Sequence, residues 1–215
     1  FGCTLVGVDL AKEAVEKARE RARKQGLDER VEFRVGDAYD LPFEEETFDV
    51  VITQFVAQFL DMKKALVEFK RVLRSGGCVG INEIFRDADV APEMNDKIDK
   101  AERIFCEITQ LPFRIHTPED WRERLDGAGL KYVEVNEKKG VMSMREGLDL
   151  LGQMGGFWKV CVLIARMSKF MLFSSVIRKR FMKLDKAKRI IIQSPFLATP
   201  ASKHVGYILA IGKKA

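Results

Sequence analysis

Apolar residues occur along the chain in two patterns, one typical of strands and one typical of helices. Residues 4–8 (TLVGV) and 48–53 (FDVVIT) form short, almost uninterrupted apolar runs, which are typical of strands buried inside a parallel sheet. Residues 31–35 alternate apolar and polar side chains, as a strand nearer the edge of a sheet does. Further strands are predicted at residues 78–84, 131–135 and 204–211.

Between the predicted strands, apolar residues recur at helical spacing. They do so over residues 11–22, and Gly26 stands where that helix should end. Asp61 is a predicted N-cap of a second helix, which residues 75–77 (SGG) should end, and Thr117 is the predicted N-cap of a third. Because helices alternate with strands, the sequence predicts an α/β fold with a doubly wound, mostly parallel sheet covered on both faces.

The chain has 215 residues, enough for one well-buried core with an elaboration. We expect residues 1–139 and 203–215 to form the core, and residues 140–202 to form a helical insertion or lid before the last strand. The net charge of +5 is unevenly distributed. Residues 151–215 carry 13 Lys and Arg against a single acid, Asp185.

The insertion combines this basic charge with many large apolar side chains, especially over residues 157–189. Three interpretations stay open: a helix in peripheral contact with an anionic membrane, a cap that admits an apolar or acidic acceptor, and a packed helix with a solvated basic side. Nucleic-acid binding is disfavoured because no aromatic platform accompanies the charge. Assembly into an oligomer stays open as well.

The four cysteines lie far apart and form no CxxC pair. Their spacing predicts neither a disulfide framework nor a zinc site, so we expect no metal and a reduced, cytoplasmic environment. The longest apolar stretch, residues 160–165, is far shorter than the roughly 20 residues that cross a bilayer. The composition therefore predicts no membrane span.

Polar side chains stand where several predicted strands end. Ligands of doubly wound folds bind outside the carboxyl ends of the strands, so Asp9, Asp37, Gln54 and Glu83 should converge on one crevice. A carboxylate at the position of Asp9 suits the two hydroxyls of a ribose, and one at Asp37 can accept from an exocyclic amine. A helix-capping role for Asp9 and a local turn at Asp37 are the alternatives.

Five segments in order carry a family resemblance: VGVDL, VGDAYDLPF, FDVVITQFVAQFLD, ALVEFKRVLRSGG and TPEDWRERLDGAGL. With these spacings, residues 4–135 and the last strand resemble class I S-adenosylmethionine (SAM)-dependent methyltransferases, especially those of ubiquinone and menaquinone biosynthesis. The resemblance implies a Rossmann-like fold with SAM as cofactor.

By the same resemblance, Asp9 would hold the ribose and Asp37 the adenine amino group, and Leu10 would belong to the cofactor site. Ala38 would place its backbone beside the ring, and Gln54 with Phe55 would line the methionine part of SAM. Phe55 could instead belong to the core. The acceptor implied is a small molecule, such as a quinone or a lipid.

Two features depart from the family pattern. Ala11 replaces the polar residue that usually caps the first helix. The family's first strand and Gly-rich turn have no counterpart, although the family's strand order, 3-2-1-4-5-7-6, places that strand between residues 4–8 and 48–53. We expect residues upstream, or another segment or chain, to fill the position.

The methyl group of a sulfonium is already activated, so transfer requires positioning more than a dedicated catalytic residue. Glu83 and His116 are candidates for proton transfer, and a structural role stays open for both. The sequence thus favours direct, in-line methyl transfer to a small, apolar acceptor. A non-catalytic binding or scaffolding module and a nicotinamide-dependent oxidoreductase are the alternatives.

Overall fold

A computed structural model describes residues 2–139, 182 and 204–215. Most of the predicted insertion, residues 140–202, therefore lies outside the described residues, as do the membrane-contact and lid interpretations attached to it. No helix in the described ranges is long and apolar enough to cross a membrane. The strands are β1 (Leu5–Asp9), β2 (Val31–Val35), β3 (Phe48–Gln54), β4 (Leu73–Arg86), β5 (Lys131–Lys139) and β6 (Val205–Lys213), and the helices are α1 (Lys12–Lys24), α2 (Met62–Val72), α3 (Pro92–Thr109) and α4 (Pro118–Gly127).

The strands form two sheets within the described part of the chain. β1 and β2 pair in parallel, and the second sheet has the order β3-β4-β6-β5. β3 is parallel to β4, whereas β6 runs antiparallel to both β4 and β5. The predicted α/β class is confirmed, and no backbone pairing joins β1 to β3 within residues 2–139, where the family order requires one further strand.

The two faces of the second sheet are covered to different extents in the described part of the chain. The α2 and α4 helices pack on one face, where Phe69 and Trp121 meet alternate residues of β4 such as Ile81. On the opposite face, Ile98 of α3 belongs to a cluster that includes Ile84 of β4. The opposite face is only partly covered among the described residues, because Val50 and Ile52 of β3 and Leu209 of β6 are 54%, 71% and 40% exposed there. The expectation that both faces are covered is therefore met on the α2 and α4 face alone in this part of the chain.

The helix boundaries follow from local sequence. The Asp61 side chain accepts a hydrogen bond from the Lys63 amide, and Thr117 forms a reciprocal capping box with Asp120. Gly26 follows α1 with a φ of +65°, a conformation that glycine adopts without steric cost. The expectation that residues 75–77 end α2 is wrong by a few residues: α2 ends at Val72, and β4 begins at Leu73. Backbone bonding between this segment and Lys214 extends the strand.

Candidate functional site

Asp9 and Asp37 lie beside each other at the carboxyl ends of β1 and β2. Asp9 pairs in register with Val35, and the Gly36 amide donates a 3.1 Å hydrogen bond to the Asp9 carbonyl oxygen. Neighbouring strands are about 4.8 Å apart, so Asp37, two residues beyond β2, shares the edge with Asp9. Both side chains are exposed. Of the four polar side chains that the sequence placed in one crevice, the structure thus brings Asp9 and Asp37 together.

Each of these carboxylates also shapes its own turn. Oδ1 of Asp9 accepts from the Ala11 amide at 2.8 Å, and Oδ1 of Asp37 accepts from the Tyr39 amide at 2.9 Å. The Asp9 bond compensates for Ala11, whose side chain cannot cap α1. The local-turn roles are therefore present. They use one oxygen of each carboxylate, and Oδ2 of each makes no hydrogen bond to other described residues.

The loop that follows Asp37 is fastened to α2. Arg71 donates to the carbonyl oxygens of Leu41 and Phe43 at 3.0 and 2.8 Å, and Glu68 accepts from the Leu41 amide at 3.0 Å. Glu68 and Arg71 also pair directly at 2.8 Å, and the guanidinium holds the pKa of Glu68 below its usual value. These bonds attach residues 41–43 of the loop to α2, while Ala38 is half-buried and Leu10 on the neighbouring loop is exposed.

Gln54 and Phe55 lie at the carboxyl end of β3. Phe55 has a φ of +55°, which is uncommon for a residue with a side chain, and its amide donates to the Asn82 carbonyl oxygen at 3.0 Å. Phe55 is 41% exposed, and its ring packs edge-to-face on Tyr207, with the ring centroids 5.7 Å apart. Because β6 is antiparallel to β4, Tyr207 at its start lies at this same edge of the sheet. The sequence predicted the strand of Tyr207 but not its place beside Phe55.

Glu83 is fully buried at the end of β4. Its Oε1 accepts from the amides of Val56 and Ala57 at 2.8 and 2.7 Å, while Oε2 has no hydrogen-bond partner among the described residues. Burial raises the pKa of Glu83 to about 7, although the two backbone hydrogen bonds oppose that rise. The carboxyl group thus contacts the turn that follows β3.

His116 lies just before α4, where it forms an isolated β-bridge with Phe85, two residues after Glu83. Its ring is buried edge-to-face against Trp121 at 5.1 Å, and Nδ1 lies 3.4 Å from a guanidinium nitrogen of Arg124. Burial, followed by the charge of Arg124, lowers the pKa of His116 to about 4, so the ring is neutral at neutral pH. The structure gives the two proton-transfer candidates no shared hydrogen-bond partner within residues 2–139.

Neither of two cavities found in the structure coincides with the strand-end residues. One of about 640 Å³ lies between α2 and α4, and another of about 740 Å³ lies between β2 and the loop before β3, lined partly by Arg34 and Phe43. No group of three or more metal-ligating side chains occurs among the described residues. Asp9, Asp37 and Phe55 are each exposed in the described part of the molecule.

Comparisons with known proteins support the predicted resemblance. Residues 1–81 match a protein-family model described as a methyltransferase domain. An arsenite methyltransferase of Halobacterium salinarum is 32% identical over 135 residues, covering 62% of this chain and 32% of that protein. A demethylmenaquinone methyltransferase of Bacteroides fragilis is 35% identical over 81 residues, covering 37% of this chain and 33% of its own length.

Among solved structures, a geranyl diphosphate methyltransferase in complex with SAM superposes with a TM-score of 0.58 and 18% identity, covering 100% of this chain and 70% of that one. This likeness confirms the Rossmann-like methyltransferase fold. The family match and the sequence relatives confirm the resemblance to methyltransferases. The chain spans from about a third to about half of the length of the curated relatives it matches.

Proposed function

We propose, from the methyltransferase domain matched over residues 1–81, that the protein is a SAM-dependent methyltransferase that transfers the methyl group directly to a small acceptor. The observation that carries this proposal is the pair of exposed carboxylates, Asp9 and Asp37, at adjacent parallel strand ends. The family match and the named relatives disfavour the scaffold and oxidoreductase alternatives.

The residues at this edge are chemically suited to the cofactor. Oδ2 of Asp9 can accept from ribose hydroxyls while Oδ1 keeps its bond to Ala11, and Oδ2 of Asp37 can accept from the adenine amino group. The amide of Ala38 and the side chain of Leu10 would border the nucleoside. Gln54 and Phe55 would border the methionine part.

Bound SAM supplies a methyl group already activated by its positive sulfur. The protein's own residues then bind, orient and exclude water, which accounts for a large share of such catalysis. Phe55 and Tyr207 offer aromatic surface beside the strand ends. This surface favours an apolar acceptor, such as a quinone-like or lipid molecule, and the names of the demethylmenaquinone and geranyl diphosphate methyltransferases agree with that class.

The proposal predicts that the intact protein binds S-adenosylhomocysteine (SAH) and does not bind NAD, both measured by isothermal titration calorimetry. Asp9→Ala should weaken SAH binding by about 1–3 kcal/mol, because the ribose hydroxyls lose an ionised acceptor. Asp9→Asn, which keeps an oxygen for the Ala11 amide, separates the loss of ligand contact from the loss of the turn.

Asp28→Ala is the matched control, because Asp28 is an exposed acid in the loop before β2, at the opposite edge of the two-stranded pair. Its SAH affinity should equal that of the unchanged protein. If the intact protein binds neither SAH nor NAD, the scaffold alternative gains support. If Asp9→Ala binds SAH as tightly as the unchanged protein does, Asp9 is not part of the site.

A further inference from the structure

Three successive residues of β4 hold the turn formed by residues 55–58. The Asn82 carbonyl oxygen accepts from the Phe55 amide at 3.0 Å, and the Ile84 carbonyl oxygen accepts from the Gln58 side-chain nitrogen at 2.6 Å. Between them, Glu83 accepts from the Val56 and Ala57 amides. Successive residues of β4 therefore accept hydrogen bonds from successive residues of the turn.

Glu83 differs from its two neighbours because it uses its side chain. Ala57 is fully buried, so its amide has no access to water and requires a partner inside the protein. A single oxygen, Oε1, serves both amides, while the buried Oε2 atom has no hydrogen-bond partner among the described residues. An apolar side chain would avoid burying that oxygen but would leave two amides unpaired.

The turn also contains local strain. Phe55 is in the left-handed region, where a residue with a side chain is held only when its surroundings impose the conformation. The amides that follow directly, those of Val56 and Ala57, are the ones bound by Glu83. The carboxyl group thus lies where it can impose this conformation.

We propose that Glu83 is a positioning residue, which holds the turn after β3 so that Gln54 and the Phe55 ring face the cofactor and the acceptor. The inference rests on the proposed function, because it assigns those two residues to the site. The role differs from proton transfer to or from an acceptor. It depends on the reach of the side chain and on an oxygen acceptor.

Two substitutions separate these requirements. Glu83→Gln keeps the length and the oxygen acceptor but removes the charge, whereas Glu83→Asp keeps the charge and shortens the side chain by one methylene. We expect Glu83→Asp to lose hydrogen-exchange protection at Val56 and Ala57, measured by NMR, and to bind SAH about tenfold more weakly or worse. Glu83→Gln should keep that protection and bind SAH within about threefold of the unchanged protein.

Glu102 offers the matched control. It is a buried carboxylate on α3 whose Oε1 accepts from the Ile115 amide at 2.8 Å. The preceding residue, Arg114, contacts the Gln58 carbonyl oxygen of the turn, but Glu102 itself makes no hydrogen bond to the Val56 or Ala57 amide. Glu102→Asp should leave both the SAH affinity and the protection of Val56 and Ala57 unchanged. Urea unfolding of every variant confirms that each is folded under the conditions of the binding measurement.

The results distinguish this inference from the proposed function. If the unchanged protein does not bind SAH, the proposed function fails, and the exchange data still show whether Glu83 holds the turn. If the unchanged protein binds SAH and Glu83→Asp binds it equally well, the positioning role is wrong. Weak binding by Glu83→Gln with full amide protection would also overturn it, since charge rather than turn geometry would then matter.

Discussion

When the pH falls from 6.5 to 4, the free energy of unfolding of His116→Phe is expected to decrease by about 3 kcal/mol less than that of the unchanged protein. The pKa of His116 is about 4 in the folded protein, against 6.5 for an unperturbed histidine. The unfolded chain therefore binds a proton more readily than the folded one between these values. The contribution of neutral His116 to the free energy of unfolding is therefore fully present above pH 6.5 and is lost as the pH falls toward 4.

The physical causes of this shift lie in the surroundings of the ring. Burial disfavours the charged form, and Arg124, Arg114 and Arg86 disfavour a further positive charge, whereas Asp120 opposes them. Phenylalanine keeps the aromatic contact with Trp121 but cannot take up a proton. Urea unfolding at intervals between pH 4 and 8 measures the effect. An unchanged pH dependence in His116→Phe would contradict the assignment, and His204→Gln is the control for loss of a histidine elsewhere.

Glu83→Gln is expected to change the pH dependence of the free energy of unfolding in the opposite direction. The pKa of Glu83 is about 7 in the folded protein against a usual 4.5, so here the folded state binds the proton more readily. This group's contribution is fully present below pH 4.5 and is lost as the pH rises through 7, by about 3 kcal/mol. Glutamine is neutral throughout and removes that loss.

The two groups should largely cancel in the unchanged protein between pH 4.5 and 6.5, because one contribution rises with pH while the other falls. Urea unfolding of the two single variants and the double variant tests this. Each single variant should reveal the slope of the remaining group, and the double variant should lose both slopes. A Glu83→Gln curve parallel to that of the unchanged protein would mean that Glu83 does not titrate in this range.

The sequence predicted the strand ends well because their signals are local. Asp9 and Asp37 each follow a short apolar or alternating run, and parallel strands bring such positions to one edge. The helix caps at Asp61 and Thr117 were equally accessible, since the capping residue and its partners are close in sequence. The extension of β4 through residues 75–77 was not predictable from local sequence, because it depends on backbone hydrogen bonds to Lys214, which is distant in sequence.

The contacts that complete the site depend on tertiary structure. Alternation along β6 indicates which face Tyr207 occupies but not that Phe55 is its neighbour. Nothing in a single sequence marks Phe55 as left-handed, and an isolated glutamate in a strand is normally expected to be exposed. The hydrogen bonds from the two amides to Glu83 depend on the pairing of β3 with β4, which no local signal in the sequence specifies.

The loop after Asp37 is attached to α2 through charges that are largely shielded from solvent: the Arg71 side chain is 28% exposed and that of Glu68 15% exposed. Dissolved ions weaken exposed charge pairs far more than shielded ones. The attachment should therefore persist in concentrated salt, so the loop that begins at Asp37 would keep its contact with α2 over a wide range of ionic strength.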